Sequence, residues 1–320
     1  AKPVKTPPQD IFESFMKSTG DKEMSTTMAL VRMLANVLRD KNVAPRLVPI
    51  IADEARTFGM EGLFRQLGIY NPLGQVYEPE DREQLMYYRE DQKGQLFQQG
   101  ITESGCMASW IAVGTSYATT GVPMVPFFTY YSMFGYQRVG DLVWAAGDSR
   151  ARGFLIGGTA GRTTLAGEGL QHQDGHNYMM FGMVPNCVSY DPTFSYEMAV
   201  IIQHGLKRMY QDQDDVFFYI TAMNENYTHP AMPEGVESGI IEGMYLFQSS
   251  SHESETTVQL LGSGAILREV IKAARILEEQ YHVASNIWSV TSFNELRKDS
   301  ESVQRDHRLH PGQSTRQSIV

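Results

Sequence analysis

Short apolar runs alternate along the chain with longer stretches in which apolar residues recur every three to four positions. From Ser25 to Asp40, residues Met28, Val31, Met33, Leu34, Val37 and Leu38 fall at helical spacing, with Ser25 placed to cap the first turn. Residues 47–52 read as a short strand, and a helix at about 61–67 stops at Gly68. The pattern then predicts a helix over 103–119, a strand over 124–131, a helix over 132–151 and a strand over 153–157. A strand at 187–190, a helix at 194–210 and an aromatic-rich strand at 215–221 follow; the helix carries Met198, Ile201, Ile202, Leu206 and Met209 on one stripe. Strands that are apolar throughout, alternating with helices, predict the α/β class: a doubly wound parallel sheet with helices on both faces.

The same pattern divides the chain. Residues 1–24 read as an N-terminal extension that begins as a Lys/Pro linker, 25–232 as the main α/β domain, and 233–320 as an incomplete second α/β domain. The boundary falls in 224–237, where two prolines and a glycine mark a linker. The second unit shows a strand at 256–261, a helix at 265–280, a strand at 286–291 and a helix at 293–298; from Asp299 the tail is polar and without period.

Composition narrows the function. A formal net charge of -10 argues against broad nucleic-acid binding, which needs a basic face. No apolar run approaches the length of a membrane span, so none is expected, and the first residues lack the apolar core of a signal peptide. Cys106 and Cys187 have no framework spacing; they suit a reducing cytoplasm and read as small buried hydrophobes.

The chemistry concentrates at strand ends. The stretch 161–177 holds four glycines together with Glu168, His172, Asp174 and His176, and has no period. It follows a buried strand, at the edge where open α/β sheets bind ligands. Asp53 and Glu54 end the 47–52 strand in the same manner, and Glu103 opens the next long helix among apolar and small neighbours. Poor solvation there would raise its pKa toward the range useful for proton transfer; complementing the helix N-terminus is the competing role. His172 and His176 lie four apart, as in metal-binding helices, but Gly175 and the earlier glycines oppose a helix and no third-ligand pattern is present. Tyr130, Tyr131, Met133, Phe134 and Tyr136 crowd a strand-to-helix junction, either as core or as a surface for stacking a heteroaromatic ring. Residues 69–83 form a polar, turn-rich candidate mobile loop. Neither a Walker pattern nor a dinucleotide fingerprint is found, nor the Gly-Asp-Gly…Asn magnesium pattern of thiamine enzymes.

Four motifs, at 53–60, 130–135, 162–172 and 224–227, taken together and in this order, resemble the homodimeric bacterial pyruvate dehydrogenase family, the decarboxylating first component of the pyruvate dehydrogenase complex. The resemblance runs from about residue 25 to 298. It implies a transketolase-like fold, of which this chain carries the middle, pyrimidine-binding domain and part of the C-terminal domain. It implies thiamine diphosphate as cofactor, with Mg²⁺ and the diphosphate held on a further domain or subunit of a homodimer. Pyruvate is then the substrate, and the lipoyl acyltransferase component accepts the acetyl group. By the same resemblance Glu103 contacts the aminopyrimidine ring and shifts its tautomer, Ile101 gives the cofactor apolar support, and Tyr131 and Phe134 pack on the pyrimidine. Asp53, Glu54, Glu168 and His172 match polar residues around the substrate, and Asp81 belongs to a segment, 73–89, that orders over the site. Thr102 and Ala166 stand where the family carries Asn; neither change removes an acid or base.

Overall fold

The structure, a computed structural model, describes residues 2–80, 88–161, 169–172, 175–250, 256–313 and 316–320. A short helix α1 (Glu13–Met16) precedes α2 (Thr26–Val37), whose first turn is capped as the sequence predicts: Ser25 Oγ accepts the Met28 amide at 3.0 Å. Then come β1 (Leu47–Ile51), α3 (Gly62–Leu67) and the short strands β2 (Ile69–Tyr70), β3 (Glu90–Asp91) and β4 (Phe97–Gln98). The first unit continues through α4 (Glu103–Gly114), α5 (Ser116–Thr119), β5 (Val125–Tyr131), α6 (Tyr136–Asp148) and β6 (Phe154–Gly158). It closes with α7 (His176–Gly182), β7 (Cys187–Tyr190), α8 (Ser195–Leu206) and β8 (Phe217–Thr221).

Among the described residues six strands form one parallel sheet in the order β4-β1-β5-β6-β8-β7. Period two decides the layering. Phe127, Phe154, Ile156, Phe218 and Ile220 enter one apolar layer, against α2 and α8. Their neighbours Phe128, Leu155, Phe217 and Tyr219 enter the other, with Trp110 of α4 and Val139 and Val143 of α6. Both faces are thus covered, which is why these strands are apolar throughout. Cys106 and Cys187 belong to the second layer as free thiols; burial pushes the Cys106 thiol up to about 12.

The smaller unit contains α9 (Glu237–Glu242), β9 (Met244–Gln248), β10 (Thr257–Gly262), α10 (Ala265–Tyr281), β11 (Ala284–Val290) and α11 (Phe293–Leu309). Its strands run β10-β11-β9, with β9 antiparallel. No helix among the described residues is long and apolar enough to cross a membrane.

Several elements differ from expectation. The helix expected over 103–119 breaks at Thr115, whose hydroxyl donates back to Ile111 O at 2.7 Å and bends the chain. The helix expected from residue 132 begins at Tyr136, because Ser132 still bonds to the sheet through Gly158 O. The helix expected to end at 298 runs to Leu309: only Leu296 and Val303 are buried along it, too few for a visible stripe. The segment read as an N-terminal linker lies on the body of the protein. Val4 N donates to Tyr210 O, and Phe12, Phe15 and Met24 are in the core. The 224–237 segment is likewise anchored, with Tyr227 paired to Met24 and Arg268 on Glu225 at 2.6 Å.

His229, in that segment, is buried and its tautomer is fixed by its partners. Nδ1 accepts the Ser195 amide at 2.9 Å, so Nε2 carries the proton and donates to Met24 O at 2.8 Å. Burial lowers the pKa of His229, and burial with Arg208 and Lys207 nearby lowers that of His204 to about 4. Below the ordinary histidine pKa of 6.5 the unfolded chain takes up protons that these folded imidazoles refuse. Their contribution to stability is therefore present above that pH and is lost as pH falls from 6.5 to about 4. Urea midpoints measured across the range should fall in that direction, and His204→Gln should flatten the slope.

Glu197, the third residue of α8, is fully buried and ties the two units together. Its Oε2 accepts the amides of Thr193 at 2.6 Å and Phe194 at 3.0 Å. Its Oε1 accepts the hydroxyls of Tyr245 on β9 and Ser289 on β11, both at 2.6 Å. Burial pushes its carboxyl upward and the four donors oppose that shift.

Candidate active site

Parallel pairing brings the predicted residues to one edge of the sheet. Ile51 is in register with Thr129 and with Gln98, so Asp53 and Tyr131, two residues further on, stand at the same level. Tyr131 is in register with Gly158 at the end of β6. All of these are carboxyl ends, where an open α/β sheet binds ligands.

Glu103 is the first residue of α4, capped by Thr102 Oγ1 accepting the Gly105 amide at 3.2 Å. Its side chain is 14% exposed, and its Oε2 lies 4.0 Å from Arg138 Nε. The Arg138 guanidinium carbon sits 3.4 Å from the centroid of the Phe134 ring. The His172 imidazole stacks on the same ring at 4.6 Å and 8°, with Tyr131 edge-on to both at 5.4 and 6.1 Å. A carboxylate, a guanidinium, two aromatic rings and an imidazole are thus contiguous. His172 Nδ1 is buried with no hydrogen-bond partner among the described residues. Ile101 precedes the helix by two positions and is 79% exposed.

Asp53 and Glu54 stand apart from that cluster. With Glu61, Tyr88, Glu90 and Gln98 they line a cleft of about 1480 Å³. Asp53 is held in the left-handed region at φ 61°, and its Oδ1 accepts from Gln98 Nε2 at 2.8 Å. Glu54 Oε2 accepts from Thr57 Oγ1 at 2.8 Å. Phe58, on the same turn, meets Tyr131 at 5.5 Å and links the cleft to the aromatic cluster. Glu168, Asp174 and Asp81 lie outside the described residues. His176 opens α7 and is exposed; among the described residues no group of three or more acids, histidines or cysteines is spaced for a metal ion.

Two residues of the site, Arg138 in the cluster and Gln98 in the cleft, carried no individual sequence signal. Arg138 falls four positions after Phe134, a spacing that could have suggested their contact. Gln98 is polar at a strand end, as many solvated residues are. Gly135 makes the junction possible: a Cβ there would overlap the Tyr130 ring and Tyr131 O. Gly135→Ala should cost about 2 kcal/mol and change the near-ultraviolet circular dichroism of the displaced tyrosines; an unchanged spectrum and midpoint would remove this account of the turn.

Solved structures share the architecture. Transketolase from Campylobacter jejuni aligns with a TM-score of 0.64 at 20% identity, covering 92% of this chain and 40% of that one. Transketolase from Leishmania mexicana aligns at 0.66 and 14%, covering 93% and 40%. At such identities the likeness shows the fold alone, and that fold is transketolase-like.

Sequence comparison is more specific. A family model described as the pyruvate dehydrogenase E1 component middle domain matches residues 7–230, and one described as the transketolase-like TK C-terminal domain matches 243–319. The proteins named pyruvate dehydrogenase E1 component from Pseudomonas aeruginosa and Escherichia coli K12 are both 59% identical to this chain, over 317 and 296 residues. Those alignments cover 99% and 92% of this chain, and 36% and 33% of the relatives. The chain belongs to the pyruvate dehydrogenase E1 component family, and it spans about a third of the length of these curated relatives.

Proposed function

We propose that this chain supplies the pyrimidine-side half of a thiamine diphosphate site for the oxidative decarboxylation of pyruvate, with transfer of the acetyl group to the lipoyl acyltransferase component. The observation that carries the proposal is the Glu103 carboxylate, held at a helix start beside the Phe134, Tyr131 and His172 rings. These groups fit the pyrimidine half of the cofactor: an aromatic face for the ring, and a shielded acid for a ring nitrogen. The diphosphate and Mg²⁺ would be held by a further domain or by a partner subunit, as the resemblance implies. When bound, the cofactor supplies the nucleophilic carbon and the electron sink that let a 2-oxo acid lose carbon dioxide.

This chain's own residues do the rest. Glu103 would contact the aminopyrimidine ring and favour its imino tautomer. Phe134 and Tyr131 would pack on the ring, and Ile101 would give the cofactor apolar support. Asp53 and Glu54 present carboxylates from the cleft wall, where Gln98 and Thr57 aim them. His172, with an unpartnered ring nitrogen among the described residues, exchanges a proton with the substrate. By the resemblance, Glu168 and Asp81 also belong to the site.

A second reading is that the chain alone does no chemistry, since it spans about a third of the length of its curated relatives. A split-gene transketolase, described as an inactive β4 tetramer, aligns at a TM-score of 0.56 and 16% identity, with 77% of its chain covered. Reconstitution separates the two. Adding a magnesium-diphosphate domain from a longer relative should restore release of carbon dioxide from pyruvate, and calorimetry should show that the chain alone binds thiamine diphosphate only weakly. Micromolar binding by the chain alone would defeat the half-site reading; reconstitution without turnover would leave the inactive one.

A further inference from the structure

A second cleft opens where the two units meet, beyond the carboxyl end of edge strand β7 and on the opposite flank of the sheet from β1 and Asp53. It holds about 390 Å³ and shares no lining residue with the Asp53 cleft. The larger unit lends it Tyr178 and Met179 of α7; the smaller lends Leu261 of β10, Ile266 of α10 and Phe293 of α11. Large apolar side chains are left open to solvent here: Met179 is 67% exposed, Phe293 58% and Leu261 42%. A space of this size between two units, apolar but for a few fixed polar groups, has the make-up of a small-molecule site.

The fixed charge in its wall is Asp191, the residue after β7. From the larger unit Thr221 Oγ1 donates to its Oδ1 at 2.6 Å; from the smaller, Ser263 Oγ donates to its Oδ2 at 2.8 Å. The Gly264 amide donates to its main-chain carbonyl at 3.2 Å. The carboxylate is thus clamped by both units. Its side-chain partners among the described residues are these two hydroxyls and no cation. A carboxylate oxygen accepts about two hydrogen bonds, so each keeps capacity for one more donor.

Walls and charge together define the occupant. A body that covers Met179, Leu261 and Phe293 gains by being apolar on its faces, and the Tyr178 and Phe293 rings suit an aromatic plane. Its edge must carry N–H donors for Asp191. An alkylammonium satisfies the carboxylate and leaves the apolar walls wet; a hydrocarbon ring does the reverse. We propose that the cleft binds a flat heterocycle of the aminopurine class, with its amino edge on the Asp191 carboxylate. Gly161 and Gly175, from the glycine-rich segment that carries His172, also line the cleft. An occupant therefore touches that segment and the smaller unit at once and holds them together. The proposal stands apart from the decarboxylation reading, since no described residue named in that reading lines this cleft.

The test titrates the 320-residue chain with adenosine, followed by calorimetry and ligand-observed NMR. A Kd of about 0.1 mM is expected for a ligand of this size. Purine riboside, which lacks the amino group, should bind about tenfold more weakly, and adenosine should lose about as much on Asp191→Asn. Phe293→Ala, at an exposed side chain, should weaken adenosine about fivefold through lost apolar contact. Bound adenosine should slow hydrogen exchange at 175–179 and at 261–266 together. Adenosine 5′-monophosphate, run alongside, separates the sources of the ring: tighter binding than adenosine assigns a nucleotide, equal binding a nucleoside. Far-ultraviolet circular dichroism checks each variant, and Phe293→Ala keeps the site testable if Asp191→Asn does not fold. No binding of adenosine by the parent chain, or binding unchanged in both variants, overturns the site. Equal binding of purine riboside overturns the pairing with Asp191 and with it the class of ligand.

Discussion

Replacing Glu197 by alanine is expected to lower the stability of the fold by about 4 kcal/mol, read as a fall in the urea midpoint. The side chain has no contact with solvent, and four donors converge on its two oxygens. Tyr245 can fall back on Tyr196, whose hydroxyl is 2.6 Å away. The Ser289 hydroxyl and the amides of Thr193 and Phe194 are left in the interior without an acceptor, and each such loss is costly. Because two of the donors come from β9 and β11, the variant should also loosen the smaller unit against the larger one. Faster hydrogen exchange in β9 and β11 would report it. Glu197→Gln keeps one good acceptor and should lose less. A midpoint shift below about 0.5 kcal/mol in the alanine variant would mean that the carboxylate is replaceable by water or by relaxation.

Glu103→Ala should abolish pyruvate-dependent carbon dioxide release in the reconstituted enzyme, by a factor of about 10²–10⁴. Its stability should hardly change. In the folded chain the carboxylate has a 4.0 Å pairing with Arg138 and a favourable place at the start of α4, and the latter is worth about 0.3–1 kcal/mol. This split between activity and stability distinguishes a chemical role from helix capping. A variant that loses several kcal/mol and keeps its turnover would assign Glu103 to the helix.

The residues that made the fold legible were the apolar strands. Phe127 and Phe128, or Phe217 and Phe218, feed opposite layers from adjacent positions, so both faces had to be covered and the α/β class followed. Strand order was not legible: β4 is two residues long, and its place beside β1 is set by tertiary pairing. Along α11 the apolar signal thins to Leu296 and Val303, and a polar helix resembles a tail. The prolines and lysines of the first nine residues hid how Val4, Phe12 and Phe15 reach the core. Glu197's bridging role was invisible because two of its four donors, Tyr245 and Ser289, come from distant elements. At the candidate site, the motifs at 53–60 and 130–135 pointed to the acids and rings. The contact of Arg138 with Glu103 joins separate helices, α6 and α4, and needed coordinates.

The N-terminal arm sets a schedule for biosynthesis. Val4 bonds to Tyr210, Met24 to Tyr227 and Thr19 to His229, so these residues leave the ribosome well before the partners they bond to. At ordinary translation speeds the arm waits about 10–40 s for them. During that interval Phe12 and Phe15 have no interior to enter, and nascent chains of this protein should lean on chaperones until β8 and the segment behind it have emerged.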